Sequence, residues 1–273
     1  MKKVSVITTT YKDAKHLSEI AYGLMEQSYP RIEYIIVDGG MDEETKNFVL
    51  EFETEFCKEE QRSLLFISEP DLGIYDAINK GIRKATGDVI GTIFDRFTSE
   101  NAIETLMAAM EKEHADGVHG DVTYVDEHDK VVRYYRMGPD ADVKKGWMPA
   151  HPTLYLKREV FETYGLYKAD YRIAGDYEYV VRISKDKKLT FAYVPKVLVK
   201  MYYGGTSSGG LGAYIRSFSE GVRGLRENGV HPAFLITLLR TVRVYLTFRK
   251  RKNAQDLVCA GRDVCGKGKT WYF

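Results

Sequence analysis

Short apolar runs alternate with amphipathic stretches through the first hundred residues, and this alternation restricts the fold more than any other feature of the sequence. Val4-Ser5-Val6-Ile7-Thr8 reads as a buried strand. Lys15 to Gln27 carries Leu17, Ile20, Ala21, Leu24 and Met25 at helical spacing. Tyr34-Ile35-Ile36-Val37 predicts a second strand, ended by Asp38-Gly39-Gly40. A helix from Asp42 to Phe56 and a third strand, Leu64-Leu65-Phe66-Ile67, follow. Ile74 to Ala85 is helical and stops at Gly87, and Asp88 to Ile93 is a fourth strand. Such a chain folds as a mostly parallel sheet with crossover helices. Ligands of these sheets sit beyond the carboxyl ends of the strands. That rule puts Thr9 to Tyr11, Asp38 to Gly40, Glu69 to Asp71 and Phe94 to Phe97 along one crevice edge.

The pattern changes further on. Asn101 to His114 predicts a helix, Val118 to Tyr124 and Val131 to Tyr135 a hairpin, and Leu154-Tyr155-Leu156 another strand. Helices are expected over Arg158 to Tyr164 and Ala174 to Ser184, and a strand over Phe191 to Met201. Gly204 to Gly212 reads as a flexible loop, with five of the chain's 24 glycines and no charge. Pro232 to Lys252 is helical and basic, with Phe234, Leu235, Leu238 and Leu239 beside Arg240, Arg243 and Arg249-Lys250-Arg251-Lys252. Two readings of that tail stay open. It is a core-packed helix with a solvated basic face, or a helix lying in the plane of a membrane with its cations on anionic headgroups.

Composition removes several classes. Aromatics at 12% exclude a disordered chain, and Lys+Arg 40 against Asp+Glu 39 excludes a general nucleic-acid coat. Cys57, Cys259 and Cys265 are too few and too scattered for a disulfide framework or a zinc site, so a reducing cytoplasm is the expected setting. Thr8-Thr9-Thr10-Tyr11-Lys12-Asp13 breaks the first apolar run short of a signal segment. No stretch approaches the roughly 20 apolar residues that span a bilayer.

At the crevice edge, Tyr11 could stack on a base and Asp38 could accept from a base N–H or a ribose hydroxyl; both could equally be ordinary turn residues. A set of motifs bears on that choice. Ser5-Val6-Ile7-Thr8-Thr9-Thr10-Tyr11, Gln27-Ser28-Tyr29-Pro30 and Glu33 to Gly40 closely resemble the opening of family 2 glycosyltransferases. Glu69-Pro70-Asp71-Leu72-Gly73-Ile74-Tyr75-Asp76-Ala77-Ile78-Asn79-Lys80-Gly81 and Ala85 to Gly91 continue the likeness. Gly146-Trp147-Met148-Pro149-Ala150-His151-Pro152-Thr153 and Ile173-Ala174-Gly175-Asp176-Tyr177-Glu178 complete it. The resemblance spans residues 3 to about 208 and is to the branch working in bacterial capsule, colanic-acid and O-antigen assembly.

That resemblance implies a GT-A fold, an α/β/α sandwich with a mostly parallel central sheet, here with a C-terminal helical extension. Residues 1–205 would form the catalytic domain, with 1–98 holding the nucleotide and 99–205 the acceptor and the base. Residues 206–273 would add a lid loop, glycine-rich at its start, and the basic helical region. Thr9, Tyr11 and Asp38 would hold the nucleoside, with Asp71 and Asn79 near it. The family places a general base at the position of Asp176, which could otherwise be a helix cap; Glu178 is the next choice. Trp147 and His151 could bind the acceptor, as a flat apolar face and a hydrogen-bonding imidazole, or could be core residues. His16, His114, His119, His128 and His231 read as structural or surface residues.

The family's Asn-Ser-Asp-Asp-like turn ligates Mg²⁺ or Mn²⁺ on the diphosphate. Here the turn is shortened to Phe94-Asp95-Arg96-Phe97, leaving Asp95 as the one candidate ligand and Arg96 as an alternative partner for phosphate. The expected activity is inverting transfer of a sugar from a UDP- or GDP-linked donor to an acceptor hydroxyl, in cell-surface polysaccharide biosynthesis. The acceptor would be a glycan or a polyprenyl-diphosphate-linked sugar. Residues 232–252 would touch the inner face of the membrane, and no nucleic acid would bind. The rival reading is a catalytically impaired nucleotide-sugar-binding scaffold of an assembly complex.

Overall fold

The structure is a computed structural model that describes residues 1–136, 138, 139, 141–203 and 210–249. The glycines at 204, 205 and 209, the cations at 250–252 and the last two cysteines lie outside the described residues.

Strands β1 (Val4–Thr10), β2 (Ile32–Asp38), β3 (Ser63–Ser68) and β4 (Val89–Thr92) form a parallel block in the order β3-β2-β1-β4. Helices α1 (Ala14–Met25), α2 (Glu43–Phe56) and α3 (Ile74–Lys84) make the crossovers. All seven residues of β2 are buried, as a nearly continuous apolar run requires when both sheet faces are covered. The acid near its start, Glu33, is satisfied from three sides. Ser5 Oγ donates at 2.5 Å, the Thr86 amide at 2.7 Å and Lys3 Nζ at 2.9 Å. Burial alone would raise this carboxyl, but those donors outweigh it and hold the pKa below its ordinary value.

The second half begins with β5 (Arg96–Phe97) and α4 (Ala102–Lys112), then β6 (Gly117–Val125) and β7 (Val131–Tyr135). It continues through β8 (Tyr155–Lys157), α5 (Arg158–Tyr164), α6 (Gly175–Ile183) and β9 (Phe191–Tyr202). These strands extend the sheet in the order β4-β8-β6-β9-β5, with β7 on β6. Strand β8 is antiparallel to both neighbours, so β6 and β9 run in the direction of β4. Among the described residues only β5, β7 and β8 oppose the rest, which makes the sheet mostly parallel as predicted. Strand β5 starts just after β4 yet pairs with β9 at the far edge, Arg96 opposite Lys200, so the sheet curls back on itself. One apolar core runs through both halves.

Two helices close the described chain, α7 (Leu211–Glu227) and α8 (Ala233–Arg249). Helix α7 is absent from the sequence reading, which takes its first residues as loop. It packs closely on α6, where a Cβ on Gly224 would lie 3.2 Å from the Glu178 Cβ. Helix α8 buries Ala233, Ile236 and Thr237 and exposes Phe234, Leu235, Leu238, Leu239, Tyr245 and Leu246. Arg240 and Arg243 turn toward the protein: Arg240 lies 4.0 Å from the Tyr177 ring centre and Arg243 donates to the Lys145 carbonyl at 2.7 Å. The outward face is therefore apolar, and the reading of a solvated basic face does not hold over 233–246. No helix among the described residues is long and apolar enough to cross a membrane.

Candidate active site

Three loops meet at the carboxyl ends of β1, β2 and β3. Thr9 and Thr10 close β1, and Tyr11 stands 67% exposed beyond it. The turn after β2 approaches so closely that a Cβ on Gly39 would overlap the Asp71 carboxylate, and one on Gly40 would lie 2.6 Å from the Lys12 amide nitrogen. These glycines bring Tyr11, Lys12, Asp38 and Asp71 together, as the strand-end rule predicts. Asp38, however, is 0% exposed. Its carboxylate accepts from the Gly40 amide at 2.8 Å and from Ser68 Oγ at 3.1 Å. It shapes the turn instead of standing open to a nucleoside. Asp71 accepts from the Gly73 amide at 2.8 Å.

Asn79 also departs from expectation. It is buried, donating to the Tyr167 carbonyl at 2.8 Å and accepting from the Tyr167 amide at 3.0 Å. With both ends of its amide engaged, it clamps one loop to α3 and does not face the nucleoside. Tyr75 lies one helical turn earlier on the same face. Its hydroxyl donates to the Ile173 carbonyl at 2.7 Å and reaches Asp176 Oδ1 at 3.3 Å. One face of α3 therefore grips the segment from Tyr167 to Asp176.

Asp176 is the second residue of α6, whose N-cap is Ala174, so the reading of Asp176 as the cap does not hold. Its Oδ1 accepts from the Tyr177 amide at 2.7 Å. His151 is close enough to feel its charge. Burial lowers the His151 pKa and Asp176 opposes that shift, leaving an imidazole that favours the neutral form. The ring stacks on Phe94 with centres 5.6 Å apart, and Nε2 lies 3.0 Å from the Tyr167 hydroxyl.

Glu178 faces the other way. It is 0% exposed and bonded to Arg182 at 3.0 Å, Lys168 at 3.1 Å and Asn228 at 3.0 Å. A carboxylate so enclosed has no route to an acceptor hydroxyl. Trp147, 1% exposed, packs against His119 and Phe191 and donates Nε1–H to the Gly138 carbonyl at 3.2 Å. It is a core residue, not a platform for a sugar ring. His119 is buried as read, its pKa pushed down to about 4 by burial.

At the shortened turn, Asp95 is 4% exposed, with Oδ1 accepting from the Arg96 amide at 3.0 Å and Oδ2 from the Tyr202 amide at 2.6 Å. Burial raises its pKa against those two amides and the charges of His16 and Arg96. His16, read as structural, is thus part of this corner, with Nε2 2.9 Å from the Phe94 carbonyl. Among the described residues no group of three or more His, Cys, Asp or Glu could hold a metal. One enclosed carboxylate with both oxygens already bonded does not fit a divalent-cation site. Beside it, Arg96 Nε is buried with no acceptor among the described residues.

Sequence reasoning missed Tyr75, Tyr167, Lys12 and His16 as residues of this region. Tyr75 lies inside a quoted motif, so the resemblance held a signal for it. The others carry none.

A curled, mostly parallel sheet with its crevice at the strand ends is the GT-A arrangement of glycosyltransferases. The mannosyltransferase PcManGT from Pyrobaculum calidifontis, in complex with GDP-Man and Mn²⁺, superposes with a TM-score of 0.63 at 18% identity, covering 98% of this chain and 76% of that one. S. aureus TarS 1-349 gives a TM-score of 0.63 at 12% identity over 97% of this chain and 76% of that one. The same TarS fragment with UDP-GlcNAc also gives 0.63, at 14% identity over 92% of this chain and 73% of that one. In sequence, a PGL/p-HBAD biosynthesis glycosyltransferase of Mycobacterium tuberculosis (strain H37Rv) is 26% identical over 212 residues, 75% of this chain and 78% of the relative. Glycosyltransferase GlyG of Streptococcus pneumoniae serotype 4 is 31% identical over 143 residues, 52% of this chain and 46% of that one. The Glycosyl transferase family 2 pattern matches residues 5–169. The chain belongs to that family and is a glycosyltransferase.

Proposed function

We propose that this enzyme transfers a sugar from a UDP- or GDP-linked donor to an acceptor hydroxyl with inversion, in the assembly of a cell-surface polysaccharide. The observation that carries the reading is the Asp176 carboxylate, held by Tyr75 and the Tyr177 amide on the second-half side of the crevice. Tyr11 stacks on the base, and Thr9 and Asp71 border the nucleoside, while Asp38 fixes the turn beneath. Asp176 takes the proton of the acceptor hydroxyl as its oxygen attacks the anomeric carbon and the bond to the diphosphate breaks. A single displacement inverts that carbon and needs no covalent enzyme intermediate. His151, neutral, donates to a sugar hydroxyl from the same side. Nucleotide-sugar binding by the PcManGT and TarS structures supports the donor class.

The donor set around Asp95 does not match the cation that the resemblance implies, so the diphosphate charge is assigned to Arg96, with Lys12 near the nucleoside. Calorimetric titration of UDP and GDP, each with EDTA or with Mn²⁺, tests this. Binding is expected to ignore the metal, and Arg96→Ala should weaken it by about 10- to 100-fold, the size of a lost charge-assisted hydrogen bond. Affinity abolished by EDTA would return the role to Asp95 and a cation. No binding of either nucleotide would sink the donor class and, with it, the scaffold reading, which also needs a bound nucleotide sugar.

The acceptor proposed is a glycan or a polyprenyl-diphosphate-linked sugar, reached from the cytoplasm at the inner membrane face. The exposed apolar side of α8 supports it: Phe234 is 55% and Leu235 59% exposed, and the sequence from 228 to 255 has cations and no acid. Flotation with anionic vesicles should carry the protein up the gradient, and Leu235→Glu with Leu239→Glu should leave it at the bottom. Equal flotation of both would remove α8 as the membrane contact, and a parent protein left at the bottom would remove the contact altogether.

A further inference from the structure

We infer that Glu220, on α7, is a positioning residue for Asp176; the inference rests on Asp176 being the base. Helix α6 starts without a local cap. Its N-cap residue, Ala174, has no side-chain oxygen to meet the free amides of the first turn. Glu220 instead holds the residues that lead into the helix, from 46 to 48 residues away. Its Oε1 accepts from the Arg172 amide at 3.0 Å, and Oε2 from the Ile173 amide at 2.9 Å and the Ala174 amide at 2.8 Å. Three consecutive amides thus converge on one carboxylate, and Asp176 is two residues further on.

The grip is completed from the opposite side. Tyr75 donates to the carbonyl of Ile173, whose amide Glu220 holds. Gly175 lies so close to the Tyr75 ring that a Cβ there would approach it to 2.7 Å, which leaves the segment no slack. A Ser or Asp at position 174 would be enough to stabilise the start of a helix. A carboxylate lent by α7 does more, because it ties the entry to α6 to the placement of another helix. Helix α7 is in turn fixed to α6, through Asn228 on Glu178 at 3.0 Å, and to the 168 loop, through Lys168 on Glu227 at 2.7 Å. The carboxylate of Asp176 is therefore aimed by α7 and α3 together.

The test measures kcat, acceptor KM and nucleotide affinity for Glu220→Gln, with Asp176→Asn and Arg223→Ala alongside. Gln offers one accepting oxygen to three amides. Glu220→Gln is expected to lower kcat per folded molecule by about 10- to 100-fold, with nucleotide affinity unchanged. Glu220→Asp, which restores both oxygens on a shorter stem, should recover part of the loss, and it carries the comparison if the Gln variant does not fold. Arg223→Ala removes ion pairs to Asp170 and Glu227 from the same helix. It should lower the melting temperature and keep kcat, separating helix stability from aim. A wild-type kcat in Glu220→Gln beside an inactive Asp176→Asn overturns the positioning role alone. An active Asp176→Asn overturns the base assignment instead.

Discussion

Asp176→Asn is expected to lower kcat by about 10²- to 10⁴-fold, the usual size of a lost general base, while UDP or GDP binding is retained. The carboxamide has the shape of the carboxylate, so the Tyr177 amide and the Tyr75 hydroxyl keep an acceptor. What is lost is the capacity to take a proton. Because Glu220 holds the Ile173 and Ala174 amides, the substitution leaves the entry to the helix in place. The melting temperature should therefore stay near that of the parent. Parallel loss of transfer and nucleotide affinity would show that Asp176 supports the site as a whole and is not the base.

Glu178, two residues away, should give the opposite result. It is fully enclosed and holds Arg182, Lys168 and Asn228 together. Glu178→Ala leaves those groups without their shared acceptor, and removing one partner of a buried pair costs about 3–5 kcal/mol. Lys168 is partly exposed and recovers some hydration, which places the expected loss toward the lower end. Urea unfolding would report the loss, and activity per folded molecule should stay well above that of Asp176→Asn. A stable Glu178→Ala variant with abolished transfer would transfer the base assignment to Glu178.

The contrast between these carboxylates explains what could be read from the sequence. Both lie on one predicted helix, and two residues turn a helix by about 200°, so they point to opposite sides. Sequence alone supplies the helix and both acids, but which side faces the crevice depends on what packs against it. The same limit hid the places of Trp147 and Asn79. An indole or an amide is suited to a ligand and to the interior alike, and here Phe191 and the Tyr167 backbone took them inward. Strands β1 to β4 were legible because each is a separate apolar run between amphipathic helices. Helix α7 was not, because Gly212, Gly221 and Gly224 are poor helix formers and follow a glycine-rich stretch. Two of those glycines are what permit close packing: a Cβ on Gly221 would stand 3.2 Å from Thr237, and one on Gly224 3.2 Å from Glu178. Tertiary contact overrode local preference there. Glu220 looked like any surface acid, since its partners are backbone amides that no side-chain pattern reveals.

The order of strands in space and along the chain has a consequence for biosynthesis. A nascent chain that has emerged as far as Thr92 already contains every strand of the parallel block β3-β2-β1-β4. One that has reached Tyr135 contains β6 and β7, yet neither has a sheet neighbour to bind except the other. Strand β6 joins the block only through β8, which is three residues long and is made later. The first half can thus assemble in the order in which the ribosome delivers it. The second half has to hold a hairpin in waiting until Tyr155–Lys157 arrives to bridge it.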